Sequence, residues 1–296
     1  MNSVKALTAR ERVAHAILGK AVDKVPIGEL CIDDSVVRRE FNAMNCEFAD
    51  RLAFVQKLGL DLFCLTPVFS QLSHGLPIAG NCRWPDRHQW VTQTNVFTFA
   101  VVDGAFGWGM RSMQFDEFLT LERSSPLALQ QLIATVEQAN LAILADLAAS
   151  GIDGIIFADD IAYQRGLFTS PATLKQYFFP ALARQAQTAV RYGIPVFFHS
   201  DGNYRELIPD LIEMGFSGLH CIDSNSGMHM PELQHEFGAR LCLWGHLGVN
   251  DACQAHVPES LDVLTDSIRT LAAQKRFILG TSSGLFASAD IEGLKA

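Results

Sequence analysis

The sequence predicts an α/β fold, a (β/α)8 TIM-type barrel with an N-terminal helix and a hairpin or loop insertion around residues 80–112. Three observations predict it. Short apolar runs without polar alternation, such as Val196-Phe197-Phe198, read as strands covered on both faces, the signature of a parallel sheet. Helical stretches separate these runs. Eight strand-like segments fit within 296 residues, near the roughly 250 typical of such a barrel, so residues 1–296 are taken as one domain.

Thr8-Ala-Arg-Glu11 is a capping-box signature, and Val13, Ala16, Ile17 and Leu18 follow at helical spacing, so the chain opens on an amphipathic helix. Ile27–Ile32 reads as the first strand, 46–58 as a helix and 62–65 as the second strand. Between 80 and 112, Trp84, Trp90 and Trp108, polar alternation over 89–102 and glycines at 104, 107 and 109 suggest the insertion, with one barrel strand inside 96–106. The rhythm is then regular: helix 126–149, strand 154–158, helix 170–192, strand 196–199, helix 207–214, strand 218–222, helix 230–237, strand 241–244, helix 260–274 and strand 277–279. An open doubly wound sheet is the competing arrangement, but no Gly-x-Gly-x-x-Gly follows the first strand. Only 286–296 remain after the eighth strand, so the last wall calls for a partner subunit, as in a homodimer, or for further chain.

A formal net charge of −9 disfavours nucleic acid and anionic membrane as partners, since neither meets a basic stripe. No run approaches the ~20 apolar residues of a membrane span, and no signal-peptide pattern opens the chain. Seven scattered cysteines, with no Cys-x-x-Cys pair, read as reduced thiols, and the expected location is cytoplasmic.

A parallel barrel gathers the residues after each strand at one mouth. That set comprises Glu29 and Asp33, Asp159 and Asp160, His199 and Asp201, His220 and Asp223, His246, and Thr281, Ser282 and Ser283. His199 and Asp201 stand two apart, on one side of an extended chain, as a ligand pair would; the alternative is a capping histidine and an Asx-turn through Asp201-Gly202-Asn203. Adjacent Asp159 and Asp160 cannot both point inward, so one is expected to act and the other to cap the segment bearing Tyr163 and Arg165. Glu29 divides evenly between a structural salt bridge and substrate contact, His220 reads as a core histidine, and His246 follows a glycine that permits close approach.

Gly154-Ile-Ile-Phe-Ala-Asp-Asp, Ser170-Pro171 with Tyr177-Phe-Phe-Pro180, Pro195-Val-Phe-Phe-His-Ser-Asp-Gly-Asn, Ile212-Glu-Met-Gly215, Gly227-Met228 and Trp244-Gly245 together resemble the uroporphyrinogen decarboxylase superfamily over residues 8–285. The superfamily holds the decarboxylase and the corrinoid-dependent methyltransferases, and the resemblance implies a TIM-type barrel with its site at the strand ends. The decarboxylase's arginine-rich first loop, its acid after the second strand and its Gly-His-Gly turn after the eighth are missing: here stand Glu29-Leu-Cys-Ile-Asp33-Asp34, Cys64-Leu65-Thr66-Pro67 and Gly280-Thr-Ser-Ser-Gly284. Several substrate carboxylates held without cations would be left desolvated and unpaired.

The methyltransferase branch is nearer. Its thiol-activating members hold zinc with a His-x-Cys pair after the fifth strand and a late cysteine; here His199 matches the histidine, Asp201 occupies the first cysteine's place and Ser282 or Ser283 stands near the second. The resemblance thus implies a site of His199, Asp201 and a third carboxylate such as Glu29, harder than a thiolate zinc site, with zinc as the candidate metal and a corrinoid carried by a partner protein. The leading expectation is a methyltransferase or demethylase acting on a methylated small molecule or methyl-corrinoid protein. In it His199, Asp201, Asp159 and Asp160 are catalytic, and Glu29, Tyr163, Arg165, Asn203, His246 and Ser282 contact substrate. The alternatives are a decarboxylase-like lyase on a small carboxylic acid, anchored by Arg165 or Arg205, and a non-catalytic small-molecule-binding barrel.

Overall fold

In the computed structural model, which describes residues 6–254, 257–286 and 291–295, seven strands form one sheet. They are Leu62–Leu65, Phe97–Asp103, Gly154–Ala158, Val196–His199, Gly218–His220, Cys242–Leu247 and Phe277–Thr281, side by side in that order and parallel throughout. The eighth position is filled by residues 26–29, which bridge the two edges. Gly28 N donates to Leu279 O at 2.9 Å and Leu279 N to Pro26 O at 2.9 Å, while Asp61 N donates to Ile27 O at 2.7 Å. The expected first strand over 27–32 is therefore reduced to single bridges at Ile27 and Ile32. A side chain explains the interruption: Asp61 Oδ2 accepts the Ile27 N–H at 3.0 Å, where a neighbouring strand's carbonyl would otherwise stand.

Alternation along the strands sorts two cores. Leu62, Cys64, Phe97, Phe99, Ile156, Phe197, Cys242, Trp244 and Ile278 fill the barrel interior. Phe63, Ile155, Phe157, Phe198, Leu219, Leu243 and Phe277 face the surrounding helices. The helix Ala9–Leu18 starts on the capping box read from the sequence and ends at Gly19 in the left-handed region, φ 67°. Its Val13, Ala16 and Ile17 press into the interior core and stop the barrel floor; burial of Val13 and of Ile17 contributes roughly 1.5–3 kcal/mol each. Arg12 fixes this plug by pairing with Asp23 and with buried Asp61. The floor is apolar and closed, so the polar residues collect at the opposite end.

The antiparallel insertion lies earlier than 80–112. Val68–Phe69 pairs with Cys82–Arg83 and Leu72–Ser73 with Leu76–Pro77, whereas 87–112 is helix, barrel strand and helix. The tryptophans that suggested a loop are core residues: Trp90 stacks on Phe63 with ring centroids 3.9 Å apart, and Trp108 is buried against Phe69. The short helix Asp34–Phe41, with Asp33 as N-cap, escaped the sequence reading.

Pro126–Ser150 is, among the described residues, the one helix long and apolar enough to cross a membrane, contrary to the expectation that none would be. Its Leu129, Leu132, Val136, Ile143, Leu144 and Leu147 are buried in the outer core, and buried Asn140 donates to Asp103 O at 2.9 Å and to Gln185 Oε1 at 2.8 Å. Part of the wall expected to need a partner is covered by the chain itself. Leu285 and Ile291 cluster with Val36, Val37 and Phe54 over the seam between the last strand and residues 26–33.

Candidate active site

Two strand ends supply the centre of the mouth. Phe197 points into the barrel, so His199, two residues on, points the same way at the top; Gly218 and His220 repeat the pattern one strand over. The His199 and His220 rings meet Nδ1 to Nδ1 at 2.9 Å. His220 is fully buried, edge-on to Trp244 with centroids 4.7 Å apart, and Tyr204 donates its hydroxyl to the His220 carbonyl at 3.1 Å. Burial pushes both imidazoles below their ordinary pKa, His220 well below, against the opposite pull of Asp160 and Asp201 on His199. Burial thus favours the uncharged form of both rings.

After the strand, the chain turns sharply. Gly202 sits at φ 81°, and a Cβ there would collide with the backbone of Tyr163. That close approach docks the Ala162–Tyr163/Gly166–Leu167 hairpin on the turn, with Asn203 N donating to Tyr163 O at 3.0 Å and Ile161 N to Ser200 Oγ at 3.1 Å. Asp160 is thereby set beside the turn: its Oδ1 accepts the Asp201 N–H at 2.9 Å and stands 3.7 Å from His199 Nε2.

Asp160, His199 and Asp201 each offer one ligand atom, and these atoms lie within 4.8 Å of one another, the spacing that holds a single cation. The donors fit a divalent metal, since neutral imidazole nitrogen and two carboxylates are ordinary ligands for one. They make a harder set than a thiolate site. The nearby Cys221 thiol is kept protonated by burial and by the Asp201 carboxylate beside it. Burial raises the Asp201 pKa, with His199 opposing.

The adjacent aspartates point apart, but neither caps the segment bearing Tyr163 and Arg165 in the way the sequence reading expected. Asp159 is buried, and its Oδ1 accepts the Gly107 N–H at 2.7 Å, inside the first turn of the helix Ala105–Ser112. Burial holds its carboxyl up at about 7 despite backbone donation from Gly107 and Phe106. Asp159 is thus a helix anchor, and Asp160 is the one set beside His199 and Asp201.

Glu29 does not join them. Gly28 faces interior Leu62, where a Cβ would collide, so Glu29 turns outward beneath the helices. There Thr281 donates to it twice, through N at 3.1 Å and through Oγ1. Burial raises its pKa to about 7. The expected metal set of His199, Asp201 and Glu29 is therefore replaced by one with Asp160 in the third place.

The expected substrate residues scatter. Tyr163 is half exposed and stacks on Phe168, and Arg165 is exposed at the hairpin tip, lining with Asn203 a cleft of about 480 Å³. Asn203 Oδ1 accepts the Arg205 N–H at 3.2 Å and starts the next turn, while Arg205 is committed to Glu232 and Glu236 at 2.6 and 2.9 Å. His246 packs toward outer Phe277, 6.3 Å between ring centroids, and Ser282 is half-buried after the last strand. Missed by the sequence reading were Asp103, whose half-buried carboxyl pairs with Arg111 at 3.2 Å and is pushed up by burial and by the charge of Asp160, and Arg111 itself. Alternation from Val101 could have placed Asp103 at the mouth; nothing local marks Arg111.

Residues 99–296 match the family model described as uroporphyrinogen decarboxylase (URO-D), which spans the strands that build this site. The chain belongs to the uroporphyrinogen decarboxylase family. Among solved structures, this family member is similar to a methyltransferase from Methanosarcina mazei, at 16% identity and TM-score 0.71, covering 98% of this chain and 96% of that one. A sugar phosphate isomerase/epimerase from Parabacteroides distasonis follows at 13% identity and TM-score 0.51, with 92% and 95% covered. A putative vitamin-B12 independent methionine synthase from Listeria monocytogenes stands at 10% identity and TM-score 0.50, with 91% and 93% covered. At such identities these likenesses speak to the fold. Comparison with curated proteins gives no match.

Proposed function

We propose that this family member is a metal-dependent methyltransferase, moving a methyl group between a methylated small molecule and a corrinoid carried by a partner protein. The observation that carries the reading is the convergence of Asp160, His199 and Asp201 within 4.8 Å at the strand ends. A divalent cation bound there supplies Lewis acidity, lowering the pKa of a thiol, alcohol or water that docks against it. Zinc suits the imidazole, and the two carboxylates admit manganese or cobalt as well.

The chain's own residues do the remaining work. Asp160, His199 and Asp201 would hold such a cation, the two carboxylates supplying negative charge and the imidazole a nitrogen donor. The backbone bond from Asp201 to Asp160 fixes their separation before anything binds, so little ordering is needed on binding. Asp103, held by Arg111, adds a further negative group at the mouth. A mouth of this sign disfavours a substrate bearing several carboxylates, which argues against porphyrinogen-type decarboxylation.

Purified protein should transfer methyl groups to or from a methyl-corrinoid protein, and His199→Ala should abolish the transfer; unchanged turnover in that variant would reject the role given to His199. One observation favours a second reading, a carboxy-lyase on a small acid: exposed Arg165 lines the 480 Å³ cleft beside Asn203, where a carboxylate could be anchored. Carbon dioxide release from small acids, lost in Arg165→Ala, would select that reading instead. The polar convergence at His199 weighs against a purely passive binding barrel.

A further inference from the structure

We propose that His220 is a positioning residue: it accepts the Nδ1–H of His199 and so holds His199 in the one tautomer that leaves its Nε2 lone pair free to face Asp160 and Asp201. The cation part of this inference rests on the reading of the site given above; the tautomer part does not.

Two imidazoles joined Nδ1 to Nδ1 at 2.9 Å hold one proton between them, so one ring donates and the other accepts. The surroundings of His220 decide which. Its Nε2 is buried without a hydrogen-bond partner among the described residues, and with Nδ1 taken by His199 the backbone group that acts on the ring is the Thr281 carbonyl. Were His220 to donate through Nδ1, its bare Nε2 would set a lone pair against that carbonyl in a site closed to water. With the proton on Nε2, the ring's interaction with that carbonyl is favourable rather than repulsive, and Nδ1 is left to accept. His199 must then donate from Nδ1, and its Nε2 is unprotonated.

Each end of this line is held. Thr281 is pinned by its two donations to Glu29, Tyr204 grips the His220 carbonyl, and Trp244 packs against the His220 ring. A histidine ligand needs its second nitrogen occupied by an acceptor so that tautomer and ring angle are fixed, a place commonly taken by a carboxylate or carbonyl. Here a second imidazole takes it. Glu29 and Thr281 thereby gain a part in the mouth although Glu29 lies under the outer helices.

The test is long-range proton–nitrogen correlation on protein with 15N-labelled histidine rings, recorded without added metal, beside zinc titration followed calorimetrically. In the unmodified chain His199 should show a protonated Nδ1 and a bare Nε2, and His220 the reverse. His220→Leu should return His199 to the Nε2–H form and weaken zinc binding about 10- to 100-fold. His220→Asn, whose carbonyl oxygen reaches the Nδ1 position, should restore both. A protonated His199 Nε2 in the unmodified chain would overturn the proposal, as would His220→Leu with tautomer and zinc affinity unchanged. The expected tautomers in a chain that binds no zinc would uphold the positioning role and sink only the cation reading.

Discussion

Asp160 Oδ1 accepts the backbone N–H of Asp201 at 2.9 Å, so two of the three side chains that converge on the candidate cation position are tied through the main chain of one of them. The carboxylate that follows the strand Gly154–Ala158 therefore also shapes the turn after Val196–His199. Removing it would cost a ligand and loosen the turn that presents another.

Asp160→Ala should lower affinity for zinc or manganese at least tenfold. Urea unfolding with and without metal checks this: at a hundredfold excess over Kd the unmodified protein should gain about 2.7 kcal/mol, reversed by chelator. Asp160→Ala at the same concentration should gain much less.

Gly104 lies so close to the Asp159 carboxylate that an added Cβ would collide with it. Gly104→Ala should destabilise by about 1–3 kcal/mol, because Asp159 cannot move without abandoning the Gly107 and Phe106 amides. In an Asp159→Ala background the same change should cost much less, and a double-mutant cycle by urea unfolding measures the difference.

Glu29 has a folded-state pKa of about 7 against an ordinary 4.5. Between those values the folded chain keeps a proton that the unfolded chain has lost, so its contribution to stability is present at low pH, falls as pH rises through this window, and levels off above it. Glu29→Gln has no such proton. Relative to the unmodified protein it should gain stability from pH 4.5 to pH 8, by up to about 3 kcal/mol; parallel unfolding curves for the two chains would contradict this.

Asp61 is buried and engaged by Arg12, by Lys24 at 3.9 Å and by the Ile27 amide at 3.0 Å. Asp61→Ala should cost about 3–5 kcal/mol, because Arg12 keeps Asp23 but loses its buried partner and the Ile27 amide is left without its acceptor. Thermal and urea unfolding measure it, and Arg12→Met with Asp61→Leu should recover part of the loss.

The strands from 154 onward were legible because buried parallel strands are uninterrupted apolar runs, and Gly154–Ala158 and Val196–His199 fall where the sequence placed them. His199 and Asp201 were legible for the same reason, as polar residues ending such a run. Residues 27–32 were misread because an Asp61 side chain, 34 positions from Ile27, takes a bond a strand would make. Periodicity sees only the chain's own pattern. It could not tell Asp159 from Asp160, a choice made by the amides of Phe106 and Gly107, nor find that His220 meets His199. Glu29 sat at the right strand end on the wrong face, since the inward place next to Leu62 falls to Gly28.

Residues 26–29 reach their neighbours through a handful of bonds, among them Trp244 Nε1 to the Gly28 carbonyl at 3.0 Å, while the adjoining wall elsewhere is a continuous ladder. Amide protons along this seam should exchange with solvent sooner than those of the 196–220 region diametrically across the cylinder. Local opening there would loosen Glu29 from Thr281 while the ladder that carries His199 and His220 stays paired.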